Sequence, residues 1–329
     1  MGCREGERIM CKLLRILLLG SLALIVTVVP AKADFTENPA FKLEAGYRLD
    51  ELDWNIAGGI DGPNIISELE WEDLEIYQIR GGGKLGFGNG KAPFTISVRG
   101  SVAYGWIVDG ENQDSDFDGD DRTIEFSRSN NKSDDGDVFD VSAGIGPRFR
   151  MWTDRLAITP VAGYSYHEQN LTLTDGFQTV SRPDIDPHVP PTGPFGGLDS
   201  TYETRWYGPW AGIDIEWEPA KRFRLYGSFE YHWADFEAEA DWNLRDDFAH
   251  PKSFEHEADD GDAIILALGG MYDLTDHWSV HLNLNYQEWK AEDGEIRFFY
   301  TDGREVIQRL NEVNWESWAA NVGVSYRFL

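Results

Sequence analysis

Along much of this chain apolar and polar residues alternate one by one. Read in steps of two, the run WAANVGVSYRFL puts Trp318, Ala320, Val322, Val324, Tyr326 and Phe328 on one face, and Ala319, Asn321, Gly323, Ser325 and Arg327 on the other. HWSVHLNLNYQEW repeats the arrangement, with Trp278, Val280, Leu282, Leu284 and Tyr286 set against Ser279, His281, Asn283, Asn285 and Gln287. In FTISVRGSVAYGWIV, Phe94, Ile96, Val98, Val102, Tyr104 and Trp106 oppose Thr95, Ser97, Arg99 and Ser101. A period of two is the mark of a strand with one apolar side.

Such segments predict ten strands, at about 41–56, 69–87, 94–108, 138–149, 156–173, 201–217, 222–239, 260–272, 278–300 and 304–328. The connections alternate in length. Short ones fall at 88–93, 150–155, 218–222 and 273–277, and long polar ones at 57–68, 109–137, 174–200 and 240–256. Aromatic residues gather near the ends of the apolar faces, as in the girdles of outer-membrane barrels. The expected fold is all-β: a ten-stranded antiparallel transmembrane β-barrel with five extracellular loops. Several strands exceed the roughly 9–11 residues needed to cross a bilayer, so the barrel should project beyond the membrane on the long-loop side.

The amino-terminal region reads differently. A basic start, Lys12 and Arg15, opens the apolar run LLRILLLGSLALIVTVV, and the small-residue pattern Ala31-x-Ala33 follows, which is a secretory signal expected at residues 1–33 with the barrel at 34–329. Both cysteines, Cys3 and Cys11, lie before the expected cut, leaving no disulfide or thiolate site in the exported part. With 13 Trp, 13 Tyr, 18 Phe and 34 Gly in 329 residues, the composition suits short-turned β architecture. A formal charge of −29 excludes nucleic-acid binding by plain electrostatics. The seven histidines have no zinc-ligand spacing, and GGGKLGFGNG ends a strand with no helix to follow it, unlike a nucleotide loop.

Charge concentrates at 109–137, which holds eleven Asp or Glu and three Lys or Arg. Within it, DSDFDGDDRTIE matches the calcium-loop pattern at Asp114, Asp116, Asp118, Gly119 and Glu125, with Asp120 adding a further carboxylate. Hard divalent cations prefer such oxygen ligands, whereas flanking strands in place of helices argue for a solvated acidic loop. Both readings stay open, beside a third in which Asp114 and Asp116 form a catalytic pair.

The stretches SELEWED (67–73) and YETRWYGPWAGI (202–213), together with the loop spacing, resemble the omptin family of ten-stranded outer-membrane aspartate–histidine proteases. Among omptin-like barrels, the chain is more similar to the Protochlamydia outer membrane protein family, which is described as porin-like. The resemblance places Asp114-Ser-Asp116-Phe117 at the omptin acidic pair, and Asp241-Trp242-Asn243 where omptins carry Asp-x-His, so that Asn243 replaces the catalytic histidine. An asparagine amide cannot take a proton from water near neutral pH; His250 or His256 would have to fold back into the cleft. The one Asp-x-His of the chain, Asp186-Pro187-His188, falls in another loop. The resemblance also implies lipopolysaccharide binding by the arginine of Tyr202-x-x-Arg205-x-x-x-Pro209-x-x-Gly212. Arg205 shares the lipid-facing parity of Tyr207 and Ile213, and reads equally as a phosphate holder or a snorkelling girdle arginine.

The expectation is therefore a non-proteolytic barrel of the bacterial outer membrane, porin-like or structural at the cell surface. It would be embedded in lipid and lipopolysaccharide, would take small cationic solutes if it conducts, and would hold no cofactor beyond calcium in the acidic loop. The alternatives are an endopeptidase using Asp114, Asp116 and Asp241, and a surface adhesin with cation-binding loops.

Overall fold

A computed structural model describes residues 35–88, 94–151 and 155–328; the expected export signal and the middles of two short turns lie outside these. The alternating segments form an antiparallel sheet of β1 (Phe35–Ile56), β2 (Ser67–Phe87), β3 (Phe94–Gly119), β4 (Thr123–Lys132), β5 (Gly136–Met151), β6 (Leu156–Ser181), β7 (Gly193–Pro194), β8 (Ser200–Ala220), β9 (Phe223–Asp241), β10 (Phe254–Asp273), β11 (Trp278–Phe299) and β12 (Glu305–Arg327). The expected count of ten is thereby corrected to twelve. β4 lies where a loop was expected, and the two-residue β7 pairs with β6. β1 pairs with both β2 and β12, so the sheet closes on itself. Around the wall, β5 lies between β3 and β6 in the lower part, and β4 fills the same gap above it.

β4 forms because Asp121 and Arg122 both adopt positive φ, at 55° and 61°, and Thr123 N donates to Asp120 O at 3.1 Å. This is a type I′ hairpin turn, whose twist matches the flanking strands. The acidic segment is therefore a hairpin built into the wall between β2 and β6, with only its turn end projecting as two strands. Its tip is tied to the 57–66 loop by Asn64 N donating to Asp120, and to the start of β2 by Arg122 on Glu68.

The parity expected from sequence orients the wall. Leu282, Leu284, Val322 and Val324 are exposed on the outer face, whereas Ser279, His281, Asn283 and Asn321 are buried inside. On β11, Trp278 packs against Tyr326 at the lower edge and Tyr286 against Trp318 eight residues higher, which fits the span of a tilted transmembrane strand. The strand then continues to Phe299, roughly 40 Å of it beyond the girdle. Bulges at Glu72/Glu75 and Ala258/Gly261 shift the register above the membrane. They let a wide wall turn while keeping Leu69, Trp71, Phe254 and His256 directed inward.

Leu282 lies halfway between the two girdles, next to the lumen-facing Asn283. Leu282→Arg should destabilise the folded barrel by about 2–4 kcal/mol in urea titrations in phospholipid vesicles. Asn283→Ser should cost under about 1 kcal/mol, and equal losses would contradict the assignment of faces.

Candidate functional site

Inward side chains divide the lumen into three levels. The lowest, within the membrane, is ionic. Arg99 pairs with Asp214 at 3.1 Å and Glu230 at 2.8 Å. Glu216 on β8 receives Arg148 of β5 at 2.7 Å and also Lys84 from β2 on the far wall. His281 meets Glu44 at 2.8 Å. At the height of the upper girdle, Arg48 of β1 reaches Asp50 at 2.6 Å and Asp140 of β5 at 2.7 Å. His167 closes on Asp140 at 2.8 Å, and Asp50 also accepts from Gln169 at 2.9 Å and the Trp315 indole at 3.0 Å. Arg48 is only 2 % exposed; a buried guanidinium is tolerated there because two carboxylates face it.

Above this knot the lumen is aromatic. Trp315 stacks on Trp289 with centroids 5.4 Å apart, Trp289 lies 5.7 Å from Trp206, and Trp206 lies 4.5 Å from Phe236. From the opposite wall, Tyr202 of β8 stacks on Trp71 of β2 at 5.2 Å and lies 6.0 Å from Trp54 of β1. The Tyr202 hydroxyl and His256 Nδ1 are hydrogen-bonded at 2.8 Å, and burial lowers the His256 pKa to about 3. Leu52, Leu69, Leu74, Ile76, Val138, Leu171 and Leu310 fill the remainder. Lower down, Trp210 can lie against the wall because Gly144 and Gly163 face it; a Cβ on either would approach the ring to 2.5 Å.

At the top is the mouth. Past the bulge on β2, Asp114 and Asp116 share a face with Asn112, opposite Leu69, Ser67, Ser129 and Ser127 on the neighbouring strands. Burial, and then the neighbouring Asp116, raise the Asp114 pKa well above the ordinary carboxylate range. Burial also raises that of Asp116, against hydrogen bonds from Ser67 and Ser127 and the charge of Arg245. Arg245 reaches in from the 242–253 loop, where it pairs with Asp247 at 3.0 Å.

The remaining residues singled out from sequence disperse. Asp241 has the outward parity of Glu237 and Glu239, since its neighbour Ala240 is buried inside. There His250 Nδ1 meets it at 2.6 Å, so neither His250 nor the core-bound His256 enters the mouth. Asn243 is structural: its Oδ1 accepts from Asp199 N at 2.9 Å and its Nδ2 donates to Gly197 O at 2.7 Å. Asp186 and His188 pair with each other at 3.0 Å in an exposed loop.

The five carboxylates offered as calcium ligands do not assemble, because the hairpin extends them. Asp114 and Asp116 face the mouth, Asp118 is exposed, Asp120 caps Asn64, and Glu125 is held by Arg128 at 2.6 Å. Among the described residues, no group of three or more metal-ligating side chains is suitably placed. Arg205 points outward at the girdle's upper edge. Its partners there are the carboxylates of Glu203 and, at 3.9 Å, Glu237.

The sequence reading missed the aromatic level. One signal was available: Trp206 and Trp210 share the parity of Asp214 and Glu216, opposite the lipid-facing Tyr207 and Ile213.

Comparison with known proteins agrees with this architecture. No curated protein sequence matches the chain. Among solved structures, the outer membrane protease OmpT from Escherichia coli superposes with a TM-score of 0.71 at 14 % identity, over 91 % of this chain and 99 % of that one. At that identity the likeness is one of fold. A Pseudomonas aeruginosa FadL homologue matches with a TM-score of 0.31 at 11 % identity, over 89 % of this chain and 91 % of its own. The attachment invasion locus protein Ail of Yersinia pestis gives 0.30 at 13 %, over 89 % and 100 %. The model of the Protochlamydia outer membrane protein family matches residues 42–328. Closed sheet, lipid-facing parity and this match together place the chain in that family, as a β-barrel protein of the bacterial outer membrane.

Proposed function

We propose that this barrel is sealed: it anchors a projecting β-wall and its acidic hairpin at the cell surface, and it neither passes solutes through its lumen nor cleaves peptides. The observation that carries this reading is the contact of Tyr202 with Trp71 and Trp54 from the opposite wall. Tyr202, Trp206, Trp71, Trp289 and Trp315 are each no more than 1 % exposed. An aqueous path would require these rings to part, exposing 150–250 Å² or so of surface for each. Acidic loops at the mouth would bias the traffic of an open pore toward cations, but the aromatic level lies beneath them.

A second reading, an endopeptidase, is favoured by one observation: Asp114 and Asp116 form a half-buried pair facing the mouth. What this reading lacks is a base across the cleft, since His250 sits on the outer face with Asp241 and His256 stays neutral within the aromatic level.

Protein inserted in planar bilayers should give no unitary conductance, and a combined Trp289→Ala and Trp315→Ala variant should give small steps. Steady conductance from the unaltered protein would contradict a sealed barrel. Peptide libraries should remain intact, and cleavage abolished by Asp114→Ala would establish the second reading. The raised carboxyl pKa values favour the protonated pair in the folded state. That stabilisation is complete below about pH 4 and is lost as pH rises through the raised values. Asp114→Asn should thus stabilise the protein by on the order of 1 kcal/mol at pH 8 and leave it unchanged at pH 4 in thermal unfolding. Destabilisation at pH 8 would show that the charged pair has partners worth more than its mutual repulsion.

A further inference from the structure

The lowest level of the lumen contains a cavity of about 620 Å³ whose charge runs against that of the protein. The chain carries −29 overall, yet the described residues lining this cavity include eight Lys or Arg and five Asp or Glu. The lining includes Arg150, Glu218, Arg224 and Arg327, close to the short connections, the periplasmic rim of a barrel of this kind. We propose that this vestibule binds a small soluble oxyanion of the phosphate type, which enters and leaves from the periplasmic side.

Only some of these cations are neutralised. Arg99, Arg148 and Lys84 have carboxylates at hydrogen-bonding range. Lys42 and Arg80 do not. Lys42 projects from β1 with its ammonium 4.3 Å from the centre of the Tyr226 ring, and among the described residues no carboxylate lies within ion-pair range of it. The nearest carboxylate contact of Arg80 is Glu44 at 3.9 Å; its guanidinium is steadied by Ser101 at 3.2 Å and Asn285 Oδ1 at 3.4 Å. That contact leaves Asn285 Nδ2 without a partner, a buried donor lining the same cavity.

An ammonium and a guanidinium thus line one water-accessible chamber with little to bind in the protein itself, and an unpartnered amide N–H₂ lies buried in its wall. Cations drawn from bulk water without a counter-charge are costly. An anion with several acidic oxygens supplies that charge, and a guanidinium can hold a phosphate through two parallel hydrogen bonds. The volume falls in the range of small-molecule sites, roughly 300–1,000 Å³. The strands wall the chamber from lipid and the Arg48 knot and aromatic level close it above, so the ligand is a solute and not a lipid headgroup.

Isothermal titration calorimetry at low salt tests this, with inorganic pyrophosphate and protein extracted from outer membranes in a zwitterionic detergent. One-site binding is expected, weakened at least tenfold in Lys42→Gln and in Arg80→Gln and unaltered in Asp118→Asn at the mouth. Absence of binding to the unaltered protein, or affinity in both cation variants as tight as that of the unaltered protein, would overturn the proposal. Should either variant fail to show the heat-modifiable mobility of a folded barrel, Asn285→Asp takes its place. That near-isosteric change sets a carboxylate beside Arg80, so a tenfold loss is expected and unchanged affinity counts against the site.

Discussion

Hydrocarbon offers a peptide group no hydrogen-bond partner, so every N–H and C=O of a strand crossing it must be satisfied by another strand. Here that requirement is met when β1 pairs with β12 on one side and β2 on the other. Closure then fixes what each residue can be. With the wall complete, successive side chains point alternately to lipid and to lumen, and the two environments demand opposite chemistry. Leu282 and Val322 face chains of similar polarity, whereas Asn283 and Asn321, side by side on β11 and β12, face a confined interior.

A barrel of this girth encloses more interior than its wall can fill by itself, and this one fills all but the lower chamber by two different means. Within the membrane, charged side chains tie distant strands together, as Lys84 of β2 does on Glu216 of β8. Such pairs lose hydration on burial, and their attraction offsets that loss only where geometry is good and the remaining donors are met, a condition that Arg48 satisfies with Asp50 and Asp140. Above the membrane the wall would otherwise separate two aqueous spaces, and packed aromatic rings give it a core of its own. The cost is visible in the indole N–H groups of Trp54, Trp71 and Trp206, which have no hydrogen-bond partner among the described residues. Each such group costs about 1–3 kcal/mol, offset by apolar area removed from water at about 25 cal/mol per Å². The two levels set the functional logic: a chamber open to the periplasm below, and a closed, rigid support for the surface hairpin above.

Much of this was legible in the alternation of residues. The lipid face of β11 and β12 and the outward direction of Arg205 follow from a period of two, and the projection of strands beyond the bilayer follows from their length. What escaped did so for physical reasons. The inward face of β4 packs polar against polar, with Ser129 and Asn131 buried beside Asn112, so Thr123, Glu125, Ser127 and Ser129 show no apolar stripe; the turn at Asp121 and Arg122 makes it a strand. Bulges reverse parity without leaving a hydrophobic trace, which is why the orientation of Asp114 could not be carried upward from Arg99 on the same strand. Asp241 and His250 are nine positions apart and meet only because the 242–253 loop folds back. Tryptophan serves equally in a lipid girdle and a dry lumen, so Trp289 and Trp318 differ in role through their parity and not their type.

The claim on which this account rests is that the upper lumen is dry. Hydroxyl-radical footprinting read by mass spectrometry measures this residue by residue in the folded protein. Trp54, Trp71, Trp206, Trp289 and Trp315 should be protected at least tenfold relative to the unfolded chain, while the half-buried Trp242 at the mouth is modified readily. Oxidation of Trp206 and Trp289 at the rate of Trp242 would mean that water stands where the rings are drawn together, and the sealed barrel would have to be abandoned.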